Sequence, residues 1–252
     1  MNKFIISAFF ILSLTSCDRF SNGYKATDGT ERIVCIAKQY TEIVFALGAQ
    51  QNIVAVDVSS TYPEAAKKLP TVGYHRALSL EALLASKPSL ILQDNNIGPE
   101  PVVKQLKDLK IPMKDFKKYS DDIAGTDSLI REMGTYFKRE YEADSLCQQL
   151  KKDMETALSA AKRYKDTVKV VVVHYGQANN VYLTMTSHST AAKMVSWAGG
   201  KIAVEGERGM IPLSAEVITK SDPDVILLTD FGYDKMGSLD KIKELVGYVF
   251  VF

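Results

Sequence analysis

Short apolar runs alternate along the first half of the chain with segments whose apolar residues recur every three or four positions. Residues 32–37 (RIVCIA), 53–56, 90–92 and 113–116 read as strands. Between them, residues 41–47 predict a helix closed by Gly48, residues 79–86 a second, and residues 101–109 a third. Pro63 sits where a short helix would begin. Ser79 suits an N-cap, and Glu81 falls in the first turn, where the helix dipole favours a carboxylate. Strands alternating with helices imply a parallel sheet covered on both faces.

The pattern then changes. Leu129, Ile130, Met133, Phe137, Tyr141, Leu146, Leu150, Met154 and Leu158 recur at helical spacing with charges between them. They predict one helix over residues 126–166, about 40 residues and about 55 Å long at the usual rise; the alternative is two helices broken near Gly134 or Glu140. Strands follow at residues 168–174 and 181–185. Ser189 caps a helix that runs to Ala198 and stops at Gly199-Gly200. A last helix and strand cover residues 214–221 and 225–228, followed by the loop Asp230-Phe231-Gly232-Tyr233.

That last pair repeats an earlier one. Leu78-Ser79-Leu80-Glu81 leads to Pro88 and the run 90–92, and Leu213-Ser214-Ala215-Glu216 leads to Pro223 and the run 225–228, with the same spacing. A repeat this long does not fit a solenoid. It fits two similar lobes, so the expected fold is α/β: two Rossmann-like lobes joined by one long spine helix, with the ligand cleft between them. The copies differ just upstream, Gly73-Tyr74-His75-Arg76 against Arg208-Gly209-Met210-Ile211. Shared parts suit scaffold or docking surface, and unshared parts suit a ligand site.

Composition narrows the classes. A chain of 252 residues with 46% hydrophobic and 24% charged residues is ordinary for globular protein, and a net charge of +1 argues against a broad nucleic-acid surface. Three cysteines make no disulfide framework and show no metal-ligand spacing. Lys3 followed by the apolar residues 4–14 reads as a signal segment. Leu14-Thr15-Ser16-Cys17 reads as a lipobox, with Cys17 as the lipidated residue; an ordinary signal peptide with a chance cysteine is the other reading. Several acyl chains on Cys17 would hold the protein to a membrane. The organisation expected is a signal peptide over 1–16, a lipidated tether over 17–31, a lobe over 32–125, the spine over 126–166 and a second lobe over 167–252. The apolar end 246–252 (VGYVFVF) reads as a shortened terminus that leaves the second lobe incompletely covered.

Several segments carry a family resemblance: residues 32–34, 41–49 (TEIVFALGA), 69–73 (LPTVG), and 79–81 through Lys87-Pro88. In order and spacing they resemble the helical-spine class of periplasmic binding proteins that serve ABC importers for haem, cobalamin and iron siderophores. Residues 72–79 (VGYHRALS), Thr190-Ala191-Ala192, Ala198-Gly199-Gly200 and residues 212–216 (PLSAE) look most like the haem-binding branch. The resemblance implies a lipid-anchored protein of the periplasm or cell envelope, not an enzyme, that captures haem as transported ligand and delivers it to a permease dimer. It further implies Tyr74 as axial ligand to the haem iron, Arg76 as its helper, and Glu81 and Glu216 as permease-docking residues, one per lobe.

The chemistry agrees with that assignment. Ferric iron favours an anionic oxygen, and a phenol needs help to ionise; iron supplies most of it, and a guanidinium bonded to the phenolate can add the rest. An extended loop would place Tyr74 and Arg76 on one side and His75 on the other, at the site's edge. An ordinary loop tyrosine is the competing reading of Tyr74, and a dipole-favoured helix-start carboxylate that of Glu81 and Glu216. His188, just before a helix cap, is the candidate second ligand; His174, at the end of a buried strand, reads as a satisfied core histidine. Tyr40, Tyr175, Met210, Phe231 and Tyr233 stand at strand ends or loops where they could stack on a porphyrin, and Arg208 could meet a propionate.

Two other readings stand beside this one. Cobalamin or a ferric siderophore would use the same fold without requiring Gly-Tyr-x-Arg. A tetrapyrrole-handling enzyme such as a chelatase is the reading from another class, although no nucleophile–base pair or His-x-x-x-His spacing is visible.

Overall fold

The structure is a computed structural model, and it describes residues 31–176, 180–229 and 233. The chain divides into two compact units. One takes in the residues up to Lys118 together with Leu129–Asp144; the other takes in Tyr119–Ser128 and the residues from Ser145 onward. The helical segment is therefore shared between the units and forms no body of its own.

In the first unit, β1 (Ile33–Cys35), α1 (Lys38–Ala46), β2 (Ile53–Val56), β3 (Gly73–Tyr74), β4 (Ala77–Leu78), α2 (Leu80–Ala85), β5 (Leu90–Leu92), α3 (Glu100–Asp108) and β6 (Met113–Lys114) follow in order. The sheet runs β2-β1-β5-β6, parallel throughout. Strands β1 and β5 are buried at every residue, as apolar runs without alternation require when both sheet faces are covered. Val34, Ile36, Ala55, Val72, Leu83, Ile91 and Leu106 form the core. The helix expected from Pro63 is instead a 3₁₀ turn over Ala66–Lys68.

In the second unit, β7 (Lys169–Gly176), β8 (Val181–Met185), α6 (Thr190–Trp197), β9 (Lys201–Ile202), β10 (Met210–Pro212), α7 (Ala215–Ser221) and β11 (Val225–Leu228) build a mixed sheet ordered β10-β8-β7-β11, with β9 also pairing β7. Strands β11 and β9 run parallel to β7, whereas β8 pairs antiparallel with β7 and β10 antiparallel with β8. The four valines 170–173 carry its core with Val195, Ile202, Val204 and Ile218.

The single spine helix is corrected. The segment forms two helices, α4 (Ile123–Phe137) and α5 (Glu140–Ala161). Lys138 turns left-handed at φ 56. The Lys138 N–H donates to the Thr135 carbonyl at 3.3 Å and the Arg139 N–H to the Gly134 carbonyl at 2.7 Å. This bond pair closes a helix C-terminus when the residue after the cap is left-handed. Apolar spacing continues across the break, which is why periodicity alone reads through it.

The helices then lie side by side. Arg131 pairs with Asp144, the Cys147 thiol contacts the Asp127 carbonyl, and a Cβ on Gly134 would stand 2.4 Å from that of Ala143. Helix α5, with 22 residues, is about 33 Å long. No described helix is long and apolar enough to cross a membrane.

Gly134→Ala sets two effects against each other. Alanine favours a helix interior by ~1 kcal/mol, while overpacking costs about 1–3 kcal/mol. Both colliding carbons are fixed to backbone, so the collision dominates, and urea denaturation is expected to show a net loss of about 1–2 kcal/mol. Adding Ala143→Gly should recover most of it. A Gly134→Ala protein at least as stable as the parent would show that the helices separate freely.

Candidate functional site

Tyr74, His75 and Arg76 occupy the tip of a hairpin. Gly73 pairs with Leu78 and Tyr74 with Ala77, leaving His75 and Arg76 as the turn. Gly73 lies at φ 97, and a Cβ there would come within 2.8 Å of the Ala77 carbonyl, so the hairpin requires glycine at this position. Three backbone bonds fasten it, one to Val58 and two to Gly98: Val58 N–H to the Gly73 carbonyl (3.0 Å), Leu78 N–H to that of Gly98 (2.9 Å), and Gly98 N–H to that of His75 (2.8 Å).

The hairpin stands with the segments that leave the carboxyl ends of β2 and β5, where parallel α/β sheets present ligand groups. Asp57, fully buried at the end of β2, accepts the Ser60 hydroxyl at 2.7 Å, the Ser59 N–H at 3.2 Å and the Ser59 hydroxyl. Its Oδ2 also lies 3.5 Å from Nδ1 of His75. Ser60 in turn shares a 3.0 Å bond with Thr41 on α1. On the other side, Arg76 Nε donates to Asn96 Oδ1 at 3.0 Å, the Asn96 N–H to Asp94 Oδ1 at 3.1 Å, and Gln39 Nε2 to Asp94 Oδ2 at 2.8 Å.

One local expectation is overturned. Tyr74 and His75 do not point apart: their rings meet at a centroid distance of 4.1 Å, because the chain turns at His75 instead of continuing extended. The Arg76 Nε engages Asn96. Tyr74 and His75 are half-buried and Arg76 is exposed.

Tyr40 and Tyr175 also depart from their expected place. Tyr40 is 4% exposed; its ring meets Phe116 edge-on at 5.2 Å and its oxygen accepts the Phe116 N–H at 3.4 Å. Desolvation raises its pKa above the ordinary phenol value. Tyr175 is 8% exposed, packs on Tyr182 and donates to Asn180. Both are core residues with satisfied hydroxyls and offer no face to a ligand.

In the second unit, buried Thr186 ties two loops together. Its N–H donates to the Gly209 carbonyl at 3.1 Å and its hydroxyl to that of Arg208. This sets exposed His188, ahead of the Ser189 cap, on a loop joined to exposed Arg208, and Met210 follows at 44% exposure. Tyr233 is half exposed. His174 is part-buried, with Nδ1 3.0 Å from the Thr229 hydroxyl. Phe231 and Cys17 lie outside the described residues. Among the described residues no three His, Cys, Asp or Glu side chains gather to hold a bare metal ion.

The repeated helices match in detail. The Ser79 hydroxyl accepts the Ala82 N–H and that of Ser214 the Val217 N–H, each at 3.2 Å; Glu81 and Glu216 are exposed in the first turns. Sequence reasoning missed Asp57, Asn96, Asp94 and Gln39. The Asp57-Val58-Ser59-Ser60 run at a strand end was the available signal, because such residues fold back onto their own backbone.

The chain belongs to the periplasmic binding protein family, whose pattern matches residues 33–246. It is 29% identical over 206 residues to an uncharacterized ABC transporter substrate-binding lipoprotein, YvrC, of Bacillus subtilis (strain 168), covering 79% of this chain and 64% of that one. It is 28% identical to the vitamin B12-binding protein of Yersinia pestis (strain Pestoides F), covering 79% and 69%. Thus the chain spans about two thirds of the length of these relatives.

Among solved structures, the periplasmic heme-binding protein RhuT from Roseiflexus sp. RS-1 in apo form superimposes with a TM-score of 0.77 at 30% identity, covering 87% of this chain and 84% of that one. The periplasmic heme-binding protein BhuT in complex with two hemes gives 0.75 at 28% identity, with the same coverages. The two-lobe α/β fold of these substrate-binding transport proteins is therefore the fold of this chain.

Cys35 adds no thiolate to the site: burial pushes its pKa up to about 12. Stability contributed by the neutral thiol is full below the ordinary thiol range and is lost as pH climbs from there toward about 12. Iodoacetamide at mildly alkaline pH should leave Cys35 unlabelled until denaturant is added, as read by peptide mass spectrometry. Rapid native labelling would contradict the burial.

Proposed function

We propose that the protein captures ferric haem through Tyr74 and hands it to an ABC-importer permease, held at the cell envelope by lipid on Cys17. The observation that carries this reading is the hairpin. It presents a half-buried phenol at a sheet's carboxyl edge, on a frame of backbone bonds that does not depend on the phenol. A porphyrin already holds its iron through four nitrogens, so one axial oxygen suffices, and tyrosine is an axial ligand type for haem. The likeness to RhuT and BhuT supports the same ligand class.

Arg76, exposed at the same hairpin tip, would provide positive charge for a phenolate or a propionate. His188 and Arg208, on joined loops of the second unit, would supply a further ligand and a further propionate contact, with Met210 and Tyr233 as apolar surface. Exposed Glu81 and Glu216, in equivalent first turns, would dock onto the permease, one from each unit.

Cobalamin is the second reading, favoured by the relatives named vitamin B12-binding proteins. Cobalamin would not require the Gly73-Tyr74-His75-Arg76 loop, so the two ligands are separated by the Tyr74 variant.

Titrating the purified protein with ferric haem should give a saturable high-spin tyrosinate spectrum. Tyr74→Ala should lose that spectrum and weaken binding by about 100-fold, or some 3 kcal/mol. No haem perturbation in either protein, with saturable cobalamin binding in both, would replace haem by cobalamin.

Glu81→Ala combined with Glu216→Ala should leave haem affinity unchanged and stop haem-dependent growth of cells that rely on the importer. Normal growth would remove the docking role.

A further inference from the structure

We propose that His75 is a positioning residue for Tyr74, anchored by the buried carboxylate of Asp57. This rests on Tyr74 binding haem iron. Three observations carry it. The rings of Tyr74 and His75 are in contact at 4.1 Å and tilted by 51°, although they belong to consecutive residues that an extended strand would send to opposite faces. The His75 ring is itself held: Nδ1 faces Asp57 Oδ2 at 3.5 Å, its side chain is 20% exposed, and its carbonyl accepts the Gly98 N–H at 2.8 Å. Asp57 cannot move to accommodate a wandering imidazole, because it is fully buried and bonded to Ser59 and Ser60.

A lone loop tyrosine would have to be fixed in one rotamer when its ligand arrives, at a cost in side-chain entropy. Here one face of the phenol ring is occupied beforehand by an imidazole that is fixed from behind. Hydrogen-bonding partners one shell out from a metal ligand typically contribute 10–100-fold to metal affinity, and a ring contact is placed at the low end of that range. The contact also limits the angles at which the phenol oxygen can approach iron, and this is what distinguishes a positioning residue from one that merely fills space.

The test is a ferric haem titration of the purified protein, His75→Ala, His75→Phe and Asp57→Asn, read by absorption, electron paramagnetic resonance and thermal melting. The wild type should show one tyrosinate-to-iron charge-transfer band and one high-spin signal. His75→Ala should bind about 10-fold more weakly and split or broaden that signal, at an unchanged melting temperature. His75→Phe keeps a ring against Tyr74 but loses the Asp57 anchor, so it should recover only part of the affinity and leave the signal broadened. Asp57→Asn keeps the side-chain shape and should broaden the signal as His75→Ala does; it stands in for that variant if the alanine protein does not fold.

Wild-type affinity and a single sharp signal in His75→Ala, or in Asp57→Asn where that variant stands in, would overturn the positioning role while leaving Tyr74 as ligand. A low-spin wild-type spectrum that turns high-spin in His75→Ala would also overturn it, by making His75 a ligand itself. No tyrosinate spectrum in the wild type would remove the haem reading and this inference together.

Discussion

The first unit's site depends on one buried charge. Removing a carboxylate from water costs several kcal/mol unless its lone pairs are filled. Asp57 meets that condition with donors from Ser59 and Ser60, and Ser60 extends the network to Thr41 on the first helix. The end of β2, the start of α1 and the hairpin tip are thereby tied through a single side chain. A loop that would otherwise choose among many conformations has one that satisfies the carboxylate.

The repeated helices show how one local solution serves two sheets. In both copies a serine closes the N-terminus, a glutamate stands exposed in the first turn, and the following strand pairs in parallel with its unit's leading strand. The surroundings differ. Strand β5 is buried on both faces, whereas in β11 Val225 and Leu227 alternate outward. In the first copy the preceding strand belongs to the separate two-stranded hairpin, and in the second it is built into the main sheet through β8. The divergent element is the one that carries the candidate ligand.

What could be read from the sequence was local. The helix starts at Ser79 and Ser189 followed from the capping serines, that at Ser214 from the repeat, and the buried strands from unbroken apolar runs. The break at Lys138 was legible only as an alternative near Gly134 or Glu140, because it is set by close packing of Gly134 on Ala143 and by a left-handed lysine, neither of which disturbs apolar spacing. Tyr40 and Tyr175 looked available because aromatic residues at strand ends can face either way; only the partners Phe116 and Asn180 reveal the inward choice. The contact between Asp57 and His75 joins separate elements across a turn whose direction the extended-loop reading had reversed.

The hairpin's fastening has an evolutionary consequence. Its tethers run through backbone atoms of Gly73, His75, Leu78 and Gly98, so positions 74 and 76 carry little of the load that keeps it folded. Mutation there can be explored at small risk to the scaffold, and a lineage could change its cargo by substituting two side chains on an inherited frame. Asp57 and Gly73 lack that freedom: one is a charge with no solvent to retreat to, the other a residue with no room for a side chain. Diversity in ligand and constancy in architecture can therefore coexist within the short stretch 57–76.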